Sequence, residues 1–171
     1  TWLEVEMMRR YDDFEAAGVR NIAEFNEAVA SGAYKAPPGS GRTVEPIRYL
    51  LLVVDELADL MLAFKDEVEP KFVRIGQLGR AAGLHMILAT QDPRAEVLTG
   101  LIKSNIPWRL AFQTSTLQAS QIILGVPGAE KLLGKGDALL RTGDKVELVR
   151  LQSPWVPTAD ITTIVKYWKS Q

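Results

Sequence analysis

Apolar and polar positions fall into blocks along this chain, some with the period of a helix and some with that of a strand. Trp2, Val5, Met8 (or Met7), Tyr11 and Phe14 recur at three- and four-residue steps, with Glu4, Arg9, Arg10 and Asp13 on the other side. That spacing predicts a helix from residue 1 to about 17, and Gly18 suits the place just past its end. Asn21 followed by Glu24 has the form of a capping box for a second helix, Ile22 to Ala30, which Gly32 stops. Residues 35 to 46, with Pro37, Pro38, Gly39, Gly41 and Pro46, predict a loop. The run Tyr49-Leu50-Leu51-Leu52-Val53-Val54 then stops abruptly at Asp55 and Glu56. A continuous apolar run of this length predicts a strand buried on both faces, as in a parallel sheet.

Beyond it, Leu57, Leu60, Met61 and Phe64 form one helical stripe. A longer helix follows, with its regular part starting near Glu69 so that Pro70 falls in the first turn. Val73, Ile75 and Leu78 are expected to face inward, Arg74 and Arg80 to stand on other faces, and Gly83 to close the helix after Ala82. His85 to Thr90 reads as a second short strand ending in the polar pair Thr90-Gln91. A short helix (Val97 to Asn105) and a third strand (Trp108 to Phe112) come next. Ser115 or Thr116 then caps a helix to Leu124, and Pro127 opens another that ends at Gly134. Gly136 to Arg141 and Val146 to Gln152 read as a hairpin joined by Thr142-Gly143-Asp144-Lys145, and Pro157 and Thr158 open a final helix through Trp168. Strands alternating with helices predict an α/β fold with a mainly parallel sheet flanked by helices and an antiparallel edge hairpin. One domain over 1–171 is expected, with 1–48 a helical lead-in and loop and 49–171 the sheet core.

Ligands in open α/β sheets collect outside the carboxyl ends of the strands. Asp55 and Glu56 would sit on that edge. There Asp55 can hold Mg²⁺, directly or through water, and Glu56 can polarise an attacking water. A strand that merely ends at a polar surface is the other reading of the same residues. Composition is that of ordinary globular material, 47% hydrophobic and 24% charged. The absence of Cys excludes disulfides and Cys-ligated metals and fits a reducing compartment, and one His excludes most His-based metal sites. A net charge of -1 gives no support to nucleic-acid contact, which only a local patch can supply. The opening at Thr1 without Met is that of an excised or processed fragment.

Several blocks taken together are more specific than the strand alone. They are Leu-Val-Val-Asp-Glu-Leu-Ala-Asp-Leu-Met (52–61), Gly-Arg-Ala-Ala-Gly-Leu-His (79–85) and Leu-Ala-Thr-Gln-Asp-Pro (88–93), with Gly-Leu-Ile-Lys-Ser-Asn-Ile-Pro (100–107) and Gly-Ala-Glu-Lys-Leu-Leu-Gly-Lys-Gly-Asp-Ala-Leu (128–139). With Glu6-Met7-Met8-Arg9-Arg10-Tyr11 and Gly18-Val19-Arg20-Asn21, they resemble the motor domain of the FtsK/SpoIIIE family of DNA translocases, nearly end to end and in the right order. The resemblance implies a RecA-like P-loop NTPase core, a hexameric ring, ATP with Mg²⁺ at subunit interfaces, and double-stranded DNA threaded through the pore. Asp55 and Glu56 match the Walker B pair, Gln91 with Thr90 the sensor place, and Arg80 the arginine presented to the neighbouring subunit's ATP. A guanidinium fork suits developing phosphate charge. A cytoplasmic segment without membrane contact is implied, any membrane anchor lying elsewhere in the parent chain.

Two departures bear on this reading. No Gly-x-x-x-x-Gly-Lys-Ser/Thr occurs, and Gly39-Ser40-Gly41-Arg42-Thr43 lacks the Lys of such a phosphate loop. In the family the Walker A loop lies upstream of the matching start, so the core is expected to be incomplete on its N-terminal side, and this chain to bind ATP poorly without that segment. Second, Asp92, Leu117 and Gln121 stand where relatives carry basic pore-loop residues. Arg94, Lys103 and Arg109 lie close by in sequence as DNA-contact candidates, or as ordinary surface cations. The missing cations leave open a motor for protein secretion or conjugative transfer, and the missing loop a non-catalytic subunit that keeps the fold. His85 is expected to be buried and hydrogen-bonded, and Trp108, Trp155 and Trp168 to serve core or interface packing.

Overall fold

The computed structural model describes residues 2–36, 43–143 and 147–171. Half of the expected Pro- and Gly-rich loop, including Gly39, Ser40, Gly41 and Arg42, lies outside the described residues, as do Asp144, Lys145 and Val146 of the expected hairpin. The chain divides into two compact units, Thr1–Ile106 and Pro107–Gln171.

The first unit contains helices α1 (Trp2–Ala17) and α2 (Ile22–Ala30), strand β1 (Leu50–Val54), helix α3 (Leu57–Ala82), strand β2 (Leu84–Leu88) and helix α4 (Gly100–Asn105). Asn21 caps α2 as its sequence predicts: its side chain accepts the Glu24 N–H at 3.0 Å, and Glu24 reaches back to the N–H of Arg20 at 2.9 Å. α3 is bent. Phe64 has non-helical backbone (φ −139°, ψ 31°), so the two expected helical pieces exist, but the second runs straight on from the bend and carries Pro70 inside it. The apolar stripe of this second piece is Phe72, Ile75, Gly79 and Ala82, while Leu78 is exposed. Phe72 joins Leu57, Ala58, Met61, Val97 and Ile102 in one core cluster; Ile75, Ala82 and Leu84 join Met7, Phe14, Ile22 and Phe25 in another.

The buried face of α1 corrects the expectation. Met7, Arg10 and Phe14 are buried, whereas Trp2, Val5 and Met8 are exposed. Arg10 enters a core because it has partners there. It donates Nε to Glu6 at 2.9 Å and Nη1 to the carbonyl of Ala82, the last residue of α3, at 2.7 Å, where the helix end presents carbonyls without intrahelical donors.

β1 and β2 pair in parallel, Leu50 opposite Leu84 and Val54 opposite Leu88. β1 is not buried on both faces: Leu51 and Val53 are exposed, as are His85 and Ile87 of β2 and the neighbouring Tyr49. His85 is therefore a surface residue, stacked on Tyr49 with ring centroids 5.8 Å apart.

The second unit contains β3 (Arg109–Phe112), α5 (Leu117–Leu124), a 3₁₀ turn (Ala129–Lys131), β4 (Asp137–Arg141), β5 (Leu148–Gln152) and α6 (Thr158–Lys169). Thr116 caps α5, accepting from the N–H of Ala119 at 3.1 Å, and the expected helix from Pro127 is only the short turn. The hairpin β4–β5 is antiparallel as predicted, and β3 joins it antiparallel, forming a separate three-stranded sheet. Ala111, Leu124, Ala129 and Leu132 make its core. Trp108, Trp155 and Trp168 are exposed and pack no core, and α6 buries none of its residues. The α/β class is as expected. Among the described residues, no helix is long and apolar enough to cross a membrane.

Candidate active site at the carboxyl edge of the parallel strands

Register creates the site. Val54 and Leu88 end their strands side by side, and the ladder runs one step further through Ala89 N–H to Val54 O (2.8 Å) and Leu57 N–H to Ala89 O (2.7 Å). The chain thus leaves β1 through Asp55 and Glu56 and leaves β2 through Thr90 and Gln91 at adjacent points of the same edge.

Glu56 is the N-cap of α3. Its Oε1 accepts the N–H of Ala58 at 3.0 Å and the hydroxyl of Thr90 at 2.5 Å; its Oε2 accepts the N–H of Gln91 at 2.9 Å. The Thr90 hydroxyl foremost, then the amides of Gln91 and Ala58, hold this carboxyl below the usual glutamate range, against a smaller opposing effect of burial. Glu56 is thus a carboxylate, fixed between a helix N-terminus and the turn after β2. The Gln91 side chain is exposed, and its backbone is what meets Glu56. Asp55 is exposed and has no side-chain hydrogen bond among the described residues.

The other predicted site residues are distributed differently. Arg80 is exposed in the last turn of α3, just before Leu84, at the opposite end of β2 from Thr90. The five residues of β2 alone put about 13 Å between those ends, so the chain does not bring Arg80 to its own Glu56. Arg94 is paired with Asp92: Nε lies 2.8 Å from each carboxylate oxygen, and Nη2 also donates to Oδ2. Lys103 lies in the last turn of α4. Arg109 is partly buried, donating Nη1 to Ile123 O at 3.1 Å near the end of α5, while its β4 partner Arg141 donates to Leu124 O. Burial and the neighbouring Arg141 charge push the Arg109 guanidinium below its ordinary range.

What the sequence reading missed is that Thr90 bonds the carboxylate it follows by 34 residues. The signal was available only through register, since the parallel pairing of two equal-length strands sets their polar ends together.

The sequence signature of the FtsK/SpoIIIE family matches residues 1–95, a stretch that holds Asp55, Glu56, Arg80, Thr90 and Gln91. The chain belongs to the FtsK/SpoIIIE family. It is 51% identical over 170 residues to the DNA translocase FtsK of Streptomyces coelicolor, covering 99% of this chain and 18% of that protein. To the DNA translocase FtsK of Mycobacterium tuberculosis it is 49% identical over 170 residues, covering 99% of this chain and 20% of the relative. The chain therefore spans about a fifth of the length of these relatives. Among solved structures it is similar to the pCW3 conjugation coupling protein TcpA, in monomer form with ATPγS (27% identity, TM-score 0.75, 97% of this chain and 46% of that one). It is also similar to the cytoplasmic domain of the Thermomonospora curvata type VII secretion ATPase EccC (30% identity, TM-score 0.74, 90% of this chain and 17% of that one). These likenesses put the fold of this FtsK/SpoIIIE member among ATPase motor domains.

Proposed function

We propose that this chain is the later part of an ATP-driven motor that moves double-stranded DNA through a ring of its own copies. The observation that carries the reading is the carboxylate pair at the edge of the parallel strands, with Glu56 held ionised by three donors. Glu56 polarises a water for in-line attack on the γ-phosphorus of ATP; the new P–O bond forms as the bond to the β,γ-bridging oxygen breaks, releasing ADP and phosphate. Thr90 and Gln91 close the same edge.

The residues present fit Mg²⁺ in its usual manner. Among the described residues no group of three or more acidic or imidazole side chains gathers to hold a metal alone. Mg²⁺ is commonly bound through one or two carboxylates plus substrate phosphates, and Asp55, exposed and without a side-chain hydrogen bond among the described residues, is such a carboxylate. The ion would neutralise charge on the phosphates. The backbone amides and Lys of a Walker A loop come from a segment outside this chain. Arg80, remote from its own Glu56, serves the nucleotide of a neighbouring copy. The segment works in the cytoplasm.

Glu56→Gln in the full-length protein tests the assignment. Loss of at least about 10²-fold in ATP turnover is expected; near-wild-type turnover overturns it. For Arg80, subunits carrying Arg80→Ala mixed with Walker-dead subunits should show interdependent defects, and independence of the two overturns the role in trans.

The pairing of Arg94 with Asp92, together with the likeness to a secretion ATPase and a conjugation protein, favours a second reading in which another polymer is moved. Stimulation of ATP turnover by duplex DNA decides for the first.

A further inference from the structure

Thr90 lies two residues past the end of β2, and three hydrogen-bonding contacts meet its hydroxyl, the longest to the Asp92 carbonyl at 3.4 Å. Its hydroxyl donates to Glu56 Oε1 at 2.5 Å and accepts the N–H of Asp92 at 3.0 Å. A hydroxyl has one proton to give, and here Glu56 receives it. The β-branched side chain has a stiff χ1, so the donor is aimed by the turn that carries it. Glu56 Oε2 is taken by the next residue's amide, at 2.9 Å, and the remaining contact comes from Glu56's own helix through Ala58. Each oxygen thus has a donor from the β2 side. Removal of the hydroxyl leaves Oε1 with only the local Ala58 amide.

From this juxtaposition we infer that Thr90 is a positioning residue for Glu56: its hydroxyl fixes the carboxylate and is not spent on the nucleotide. The inference rests on the hydrolytic reading given above. It predicts that Thr90 governs how fast bound ATP is hydrolysed and not how tightly ATP is held.

The experiment uses the full-length protein and steady-state ATP turnover. Thr90→Val keeps the branched shape and removes the donor; it should lower kcat about tenfold or more, since a reacting group displaced by about 1 Å costs up to about 10²-fold. The KM for ATP should stay within about twofold, and Thr90→Ser should recover most of kcat because a donor is restored. In single-turnover measurements on a Glu56→Gln background, adding Thr90→Val should change the rate by less than about twofold, because residues that act as a unit are not additive. A raised KM with kcat kept would mean that the hydroxyl binds nucleotide, and would overturn the inference. So would a folded Thr90→Ser no faster than Thr90→Val, or full additivity with Glu56→Gln. If Thr90→Val does not fold, Thr90→Ala gives the same readouts. Wild-type turnover in Glu56→Gln alone would instead overturn the hydrolytic reading itself, whatever Thr90 does.

Discussion

Arg10 donates its Nη1 to the carbonyl of Ala82 at 2.7 Å, tying the first helix of the chain to the end of a helix 72 residues later. The arginine is 2% exposed, and its Nε is held by Glu6 at 2.9 Å, so one guanidinium fork serves two directions at once. Arg10→Met keeps a long apolar stem but strands a carbonyl at a helix end. It should destabilise by about 2–3 kcal/mol, the range for hydrogen bonds to charged groups and their loss on burial. Arg10→Lys should recover only part of this, since an ammonium lacks the planar fork. Urea unfolding midpoints check both.

Gly83 and Gly18 separate backbone strain from crowding. Both follow a helix with positive φ, +73° and +69°. A Cβ on Gly18 meets nothing within 4 Å, but on Gly83 it would lie 2.5 Å from Ile22 Cδ1. Gly18→Ala should cost about 1–2 kcal/mol for the left-handed backbone alone. Gly83→Ala should cost about 2–4 kcal/mol, the same strain plus overpacking of a buried isoleucine. Equal losses in thermal unfolding would show that Ile22 yields freely.

Two carboxylates lowered to about 2 contribute most to stability in acid, with Glu56 and Glu130 lowered in the same direction. The Arg9 hydrogen bond foremost, with those of Arg10, lowers Glu6 from 4.5 to about 2 against opposing burial. The Arg150 fork, then the amide of Leu133, lowers Asp137 from 3.8 to about 2. A group depressed on folding stabilises above its unfolded pKa and loses that contribution as pH falls through its folded value. Stability should therefore hold above about pH 4.5 and decline steadily toward about pH 2. Glu6→Gln should remove part of that slope, seen in denaturant midpoints taken across the acid range.

Asp92 decides what Arg94 can touch. With its guanidinium paired to that carboxylate, Arg94 has less to offer a phosphate. In the full-length protein Asp92→Ala should tighten duplex DNA binding and steepen the dependence of log K on log salt by about 0.9, the increment for one phosphate contact. An unchanged slope removes Arg94 from the DNA-contact candidates.

How far the sequence reached depends on the kind of information each feature needs. Helix ends were legible because capping is local: Asn21, Thr116 and Gly83 stand where short-range hydrogen bonds and positive φ require them. The carboxylate edge was legible because the apolar run stops at Asp55-Glu56, where a strand's carboxyl end is expected, while its catalytic reading needed the resemblance carried by the neighbouring blocks. The inward face of α1 was misjudged, since hydrophobicity counts Arg10 as outward and cannot know that a helix end 72 residues away will supply its acceptor. The same limit hid the Thr90–Glu56 bond. Leu51 and Val53 have the composition of a two-sided strand, whereas one side of the β1–β2 pair is exposed in these 171 residues.

That bare side has a practical consequence at the bench. Tyr49, Leu51, Val53 and Ile87 give the parallel pair an adhesive surface, and contiguous apolar patches of this kind promote self-association. A protein cut to these 171 residues should scatter light increasingly as it is concentrated. Its apparent melting temperature would then drift with protein concentration, so stability comparisons between variants belong at matched, dilute conditions. A lysine in place of Leu51 or Val53 should restore colloidal behaviour with little loss of the helix packing beneath.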